Sequence, residues 1–119
     1  KYFGGFRNGS FNGPGLQISI KGQVRFEKRF EKLGENWSYD TNFEKVFYFL
    51  KELFQKQPMF ERQKIQLRLK KEKMYNGSID GKWGLQTFIG LVEFSFETQG
   101  RVNLKAKYHA DQLLSAVLR

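Results

Sequence analysis

The sequence predicts an α+β fold, in which an N-terminal antiparallel β-hairpin or meander is followed by a linking helix and a three-helix bundle. Two observations support this prediction. Glycines recur through residues 1–39, and apolar residues there alternate with polar ones. This pattern is typical of short strands joined by tight turns. From about residue 40 onward, apolar residues recur instead every three or four positions, as they do on one face of an α-helix.

The first 39 residues form the predicted β segment. Asn8-Gly9 is typical of a two-residue hairpin turn, which requires positive φ at both central positions. Leu16, Ile18 and Ile20 then alternate with polar residues, as in a strand that buries one face. This part of the chain is therefore expected to contribute a small sheet.

A linking amphipathic helix is predicted over residues 40–57. Thr41 and Glu44 have the spacing of a capping box, in which two side chains satisfy free amides at the start of a helix. The apolar residues that follow fall on one helix face, and Pro58 ends the helix or opens the next one.

The remainder, residues 58–119, is predicted to be one helical domain. Gly100 suits the left-handed residue that often follows a helix. A glycine-rich loop is expected over Tyr75 to Gly84. The apolar periodicity places its three helices at about residues 60–73, 85–98 and 110–118.

This loop and its flanks resemble the peptidoglycan-binding domain family. The resemblance rests on an I-Q-x-x-L start at Ile65, followed by Y-x-G-x-I-D-G-x-W-G-x-x-T from Tyr75 to Thr87. It covers about residues 60–119 and implies a three-helix fold that binds peptidoglycan, or another anionic wall polymer, without catalysis. The second D-G-x-x-G-x-x-T motif that the family often carries is missing here, which puts any ligand contact from that second loop in doubt.

Two sets of loop residues are assigned different roles. The structural set turns and packs the backbone, and it comprises Gly77, Asp80, Gly81, Gly84 and Thr87. The candidate ligand-binding set comprises Tyr75, Asn76, Lys82, Trp83 and Gln86. Aromatic rings would stack on sugar faces, and the lysine would pair with stem-peptide carboxylates. A core position is the alternative for Trp83, and a purely structural role also explains the D-G-x-x-G-x-x-T residues.

The N-terminus resembles a MORN repeat. Residues Tyr2 to Gly15 match the pattern Y-x-G-x-F-x-N-G-x-x-x-G-x-G, and a degenerate second copy begins after Gly22. Such repeats are β-hairpins that stack into an elongated sheet, so the resemblance implies earlier repeats upstream and a protein or lipid partner. An ordinary glycine-rich hairpin is the alternative interpretation.

Composition limits the function further. The chain has no Cys and one His, which excludes disulfides and thiolate sites and argues against a zinc site, so we predict no metal and no cofactor. Its acidic residues are mostly isolated, and we therefore predict that it is not an enzyme. The net charge of +9 favours anionic partners, although no known motif supports nucleic acid. No apolar run is long enough to span a membrane.

The predicted function is a non-catalytic module that targets the bacterial cell wall. The chain begins at Lys1 rather than at Met, so we interpret it as a fragment of a larger protein with its targeting signal upstream. A periplasmic or cell-envelope location follows from that interpretation. Two alternatives stay open: a protein-interaction or scaffold module that uses the MORN-like half, and binding of another polyanion such as nucleic acid or acidic lipid.

Overall fold

The structure is a computed structural model of the chain, and it falls into two compact units, Lys1–Val46 (unit 1) and Phe47–Arg119 (unit 2). The boundary lies inside the predicted linking helix of residues 40–57. The structure describes the backbone of residues 2–7, 10–18, 23–27, 41–100 and 104–119. It describes the side chains of residues 16, 18, 43, 44, 47–100 and 104–119.

Unit 1 contains short strand segments and one helical turn. These elements are β1 (Tyr2–Arg7), β2 (Ser10–Ile18), β3 (Gln23–Glu27), β4 (Thr41–Asn42) and α1 (Phe43–Val46). The strands pair antiparallel in chain order. Leu16 and Ile18 of β2 are buried. Ile20, the predicted turn at Asn8-Gly9, and the Thr41 side chain of the predicted capping box lie outside the described residues.

Unit 2 is built from four helices, and no strand occurs among its described residues. The helices are α2 (Tyr48–Lys56), α3 (Met59–Lys71), α4 (Leu85–Gln99) and α5 (Lys107–Leu118). Helix α5 packs against α2, α3 and α4. It therefore occupies the centre of the unit and buries Ala110, Leu113, Leu114 and Val117.

The predicted α+β fold class is wrong, because the described protein is mainly helical. Of the residues whose side chains are described, 69% are helical, and no strand occurs among the described residues from Phe43 onward. Only Leu16 and Ile18, among the described buried apolar side chains, belong to a strand segment. The alternation over residues 1–39 is a local signal that says nothing about where the large apolar side chains pack. Most of the described buried side chains come from the helices.

The predicted linking helix also differs from the structure. It is interrupted at Phe47, so that α1 and α2 are separate elements. Helix α2 does not merely link two parts, because Leu50 and Phe54 are fully buried and α2 packs against α5. Burying such side chains contributes roughly 1.5–3 kcal/mol each, which makes α2 a full member of the bundle. Unit 2 therefore has four helices where three were expected.

The helix ends of unit 2 follow from local signals. Pro58 precedes the first turn of α3, where its missing N–H costs nothing. Gly100 ends α4 in the left-handed conformation at φ 65°, and its N–H donates to the carbonyl of Phe96 at 3.1 Å, which confirms its predicted role. Helix α5 begins at Lys107, three residues earlier than the predicted residue 110.

Ring contacts join the α2 region to the start of α4, and a glycine brings the chain after α3 close to α4. The Phe47 and Phe88 rings lie 4.8 Å apart between centroids, and a second ring contact joins Phe54 to Trp83 at 5.4 Å. At Gly90 a β-carbon would lie 2.8 Å from the carbonyl oxygen of Met74, so only glycine lets the chain after α3 approach α4 this closely. This approach sets the position of the loop that begins at residue 75.

Candidate functional site

The loop between α3 and α4 is organised around the buried side-chain amide of Gln66. This residue lies on α3 and is completely buried. Its Oε1 accepts the backbone N–H of Gly81 at 2.7 Å. Its Nε2 lies 3.1 Å from the Lys82 carbonyl oxygen and 3.2 Å from Asp80 Oδ1. A primary amide is both donor and acceptor, so a single side chain can hold a turn of backbone from both sides.

The same amide nitrogen also reaches the two ends of the loop. Gln66 Nε2 lies 3.3 Å from Thr87 Oγ1 and 3.4 Å from Tyr75 Oη. Two protons are shared among four acceptors, so no more than two of these hydrogen bonds form at full strength at one time. Thr87, assigned to the structural set, contacts a side chain on another helix through its hydroxyl.

The carboxylate of Asp80 stabilises the turn through hydrogen bonds with neighbouring residues. Its Oδ1 accepts the backbone N–H of Lys82 at 2.9 Å, which is the Asx-turn geometry expected for this position. Its Oδ2 accepts the Ser78 hydroxyl at 3.3 Å. The Lys82 amide, followed by the amide of Gln66, lowers the pKa of Asp80 because both donate to the ionised form. Next to it, Gly81 takes φ 71°, a left-handed conformation that glycine adopts without strain.

Tyr75 belongs to this framework rather than to the surface. Its ring is buried, and its hydroxyl donates to the Ser78 carbonyl at 2.6 Å. Burial raises the pKa of Tyr75, the hydrogen bond with Thr87 opposes that shift, and the charge of Asp80 adds to it. Gly77 lies so close to this ring that a β-carbon would be 2.6 Å from Tyr75 Oη. Tyr75, proposed from the sequence as a ligand contact, is thus occupied by internal contacts.

Three more side chains of α3 hold the loop along its length. Arg62 Nη1 donates to the Gly81 carbonyl at 3.1 Å, and Gln63 Nε2 reaches the Ile79 carbonyl at 3.5 Å. Lys70 Nζ lies 3.4 Å from the Gly77 carbonyl. Loop carbonyls that lack helical partners are thereby satisfied. The loop is a fixed extension of α3.

The other predicted ligand-binding residues divide into exposed and packed positions. Asn76, Lys82 and Gln86 are exposed on the outside of the loop. Trp83 is half-buried, with its ring 5.4 Å from Phe54 and 6.3 Å from Phe88 between centroids. The structure therefore leaves these three polar side chains exposed and uses Trp83 largely as packing. Gly84, assigned to the structural set, is the residue before α4.

The sequence-based assignment missed Gln66 as the centre of the site. The residue belongs to the I-Q-x-x-L start, and neither set of loop residues includes it. The signal that could have revealed it is its position beside Ile65 and three residues before Leu69, on the apolar face of a helix. A polar side chain on such a face must find internal partners, because burying an unsatisfied amide is costly.

The surface of the loop offers polar groups to a ligand. No group of three or more His, Cys, Asp or Glu that could hold a metal ion occurs among the residues that the structure describes. Among the described residues, no helix is long and apolar enough to cross a membrane.

Comparison with known proteins leaves the family open. No family model matches the chain, and no curated protein or solved structure is significantly similar to it. The resemblances to the peptidoglycan-binding domain family and to the MORN repeat therefore stay predictions.

Proposed function

We propose that unit 2 is a non-catalytic module that binds peptidoglycan through the outside of the loop from Tyr75 to Thr87. The observation that carries this proposal is the arrangement around Gln66, which fixes the loop backbone and leaves Asn76, Lys82 and Gln86 exposed. Because the loop is ordered before binding, little conformational entropy would be lost when a ligand contacts it.

The three exposed side chains suit the chemistry of a peptidoglycan strand. Its N-acetyl groups and peptide bonds are neutral amides, for which the side-chain amides of Asn76 and Gln86 can both donate and accept. Its stem peptides carry carboxylates, and the ammonium group of Lys82 would pair with one of them. The net charge of +9 adds a general attraction to anionic wall polymers. A periplasmic or cell-envelope location is part of this proposal.

The test is co-sedimentation of the full chain with purified, insoluble peptidoglycan sacculi at low and high salt. Lys82→Ala and a combined Asn76→Ala and Gln86→Ala variant are compared with the parent chain. The matched control is Lys107→Ala, which removes another exposed lysine, on α5. We expect both loop variants to weaken salt-resistant binding about tenfold and the control to bind like the parent. Circular dichroism must show that every variant remains folded.

Two results would overturn this proposal. One is a parent chain that stays in the supernatant. The other is binding that appears only at low salt and falls equally for Lys82→Ala and Lys107→Ala. That second pattern would indicate non-specific attraction by net charge, because such attraction is screened by salt and does not depend on position.

A further inference from the structure

The outer face of α3 carries two large apolar side chains that unit 2 does not use. Phe60 is 71% exposed and Leu67 is 44% exposed, whereas Ile65 and Leu69 on the opposite face are fully buried. Exposed apolar side chains that occur singly need no explanation, but two on one helix face suggest a contact surface. The loop between α3 and α4 contacts a different side of α3, the side that carries Gln66.

Lysines lie between these apolar residues along the same line. At about 100° per residue, Phe60, Lys64, Leu67 and Lys71 all fall within a sector of about 60° and extend over about 16 Å of helix. Both lysines are exposed. We call these four residues the α3 stripe. It alternates apolar and basic side chains.

The charge around the stripe is strongly positive. Between residues 59 and 73 the basic side chains are Arg62, Lys64, Arg68, Lys70, Lys71 and Lys73. The acidic side chains in this segment are Glu61 and Glu72. Glu72 is already paired with Arg68 at 3.2 Å. A partner that covers the stripe must therefore supply negative charge.

The alternation distinguishes between anionic partners. A helix that lies on a membrane keeps its lysines beside the apolar face, so that they reach the headgroups. In the α3 stripe the same insertion would draw Lys64 toward hydrocarbon between Phe60 and Leu67, which is costly. A second copy of this chain would bring like charges together. The partner must supply apolar contacts for Phe60 and Leu67 and negative charge for the lysines. A helix with apolar residues and carboxylates alternating along one face supplies both, because its carboxylates would pair with the lysines while its apolar groups pack.

We propose that the α3 stripe is a docking surface for an acidic amphipathic helix of a partner protein. This surface is separate from the loop that we assign to peptidoglycan, and the two can be occupied at once. The partner's helix would place apolar side chains against Phe60 and Leu67, and Glu or Asp side chains against Lys64 and Lys71.

The probe is a synthetic helical peptide of about 21 residues, with Leu at the first and Glu at the fourth position of each heptad, so that the two alternate along one face. Binding to the full chain is measured by fluorescence anisotropy. We expect Phe60→Ser to weaken binding about tenfold, because a truncated apolar anchor loses most of its contact. We expect the combined Lys64→Glu and Lys71→Glu change to weaken binding to a similar extent. A peptide with Lys in place of Glu should restore binding to that variant.

The control combines Lys107→Glu with Tyr108→Ser on α5, where Tyr108 is 67% exposed. It reverses one exposed lysine, where the stripe variant reverses two, and it removes one exposed ring, as Phe60→Ser does. It should bind like the parent. The proposal fails if the acidic peptide does not bind, if the control weakens binding equally, or if the reversed peptide does not rescue. It also fails if phosphatidylglycerol vesicles or a single-stranded oligonucleotide bind more tightly than the peptide and depend on the stripe. Because sacculi are absent from this assay, its failure leaves the loop proposal intact.

Discussion

Several residues of α3 contact the loop. Among them, Gln66 is the one whose replacement, by Leu, is expected to destabilise unit 2 most. Leucine has a similar size, so the change removes hydrogen bonds and leaves little cavity. The amide accepts one hydrogen bond, from Gly81, and can donate two at a time. At about 1 kcal/mol net for each bond, the loss is about 3 kcal/mol. The buried Gly81 N–H, left without its acceptor, adds about 1–3 kcal/mol and raises the total to about 4–6 kcal/mol.

The matched control is Gln63→Leu. It changes the same residue type on the same helix and removes one contact with the loop, the bond of 3.5 Å to the Ile79 carbonyl. We expect that change to cost less than about 1 kcal/mol. Urea unfolding followed by far-UV circular dichroism measures both free energies of unfolding, because the described part of unit 2 is helical. In thermal unfolding, Gln66→Leu should lower Tm by more than about 10 °C.

One result would refute this reasoning. If Gln66→Leu costs no more than Gln63→Leu, the amide of Gln66 does not hold the loop, and the loop has another source of order. An intermediate cost of about 2 kcal/mol would mean that the donated hydrogen bonds are weak and that the Gly81 N–H finds water.

Two further predictions concern the turn itself. Gly81→Ala should lower the free energy of unfolding by about 1–2 kcal/mol, because φ is 71° there, while Gly84→Ala, in extended backbone with nothing within 4 Å of the added carbon, should change it by less than about 0.5 kcal/mol. Equal costs in thermal unfolding would contradict this contrast. The lowered pKa of Asp80 stabilises the fold above the unfolded-state pKa, and this contribution is lost as pH falls through the folded pKa. Between about pH 5 and pH 2 the parent should therefore lose more stability than Asp80→Asn, and parallel stability curves from acid titration would contradict this.

Local signals in the sequence were sufficient for the end of α4 and for the turn at Asp80. Gly100 was placed correctly because a left-handed residue after a helix strongly favours glycine, whatever the rest of the fold does. Asp80 was placed correctly for a similar reason, since an Asx turn involves only neighbouring residues. Such features depend on a few adjacent positions, and a single sequence is enough to identify them.

The errors concern interactions between distant parts of the chain. The fold class was wrong because the alternating, glycine-rich pattern of residues 1–39 was taken to predict a β part as important as the helical part. The described core is helical. The predicted linking helix of residues 40–57 is interrupted at Phe47, and α2 packs against α5. Amphipathicity shows that a face is buried but not which helix covers it. Gln66 was missed because its partners lie 9 to 21 residues away along the chain.

The contacts of Gln66 also change how the loop motif should be interpreted. The defining residues of Y-x-G-x-I-D-G-x-W-G-x-x-T include Tyr75, Asp80 and Thr87, and their side chains contact one another or Gln66. Asn76, Lys82 and Gln86 occupy x positions of the same motif, and these side chains face outward. The motif therefore specifies a rigid loop, whereas the ligand would be selected by residues that the motif leaves free. Two chains with the same motif can then bind different ligands, so substitutions at the x positions, made on an intact framework, are the informative test of function.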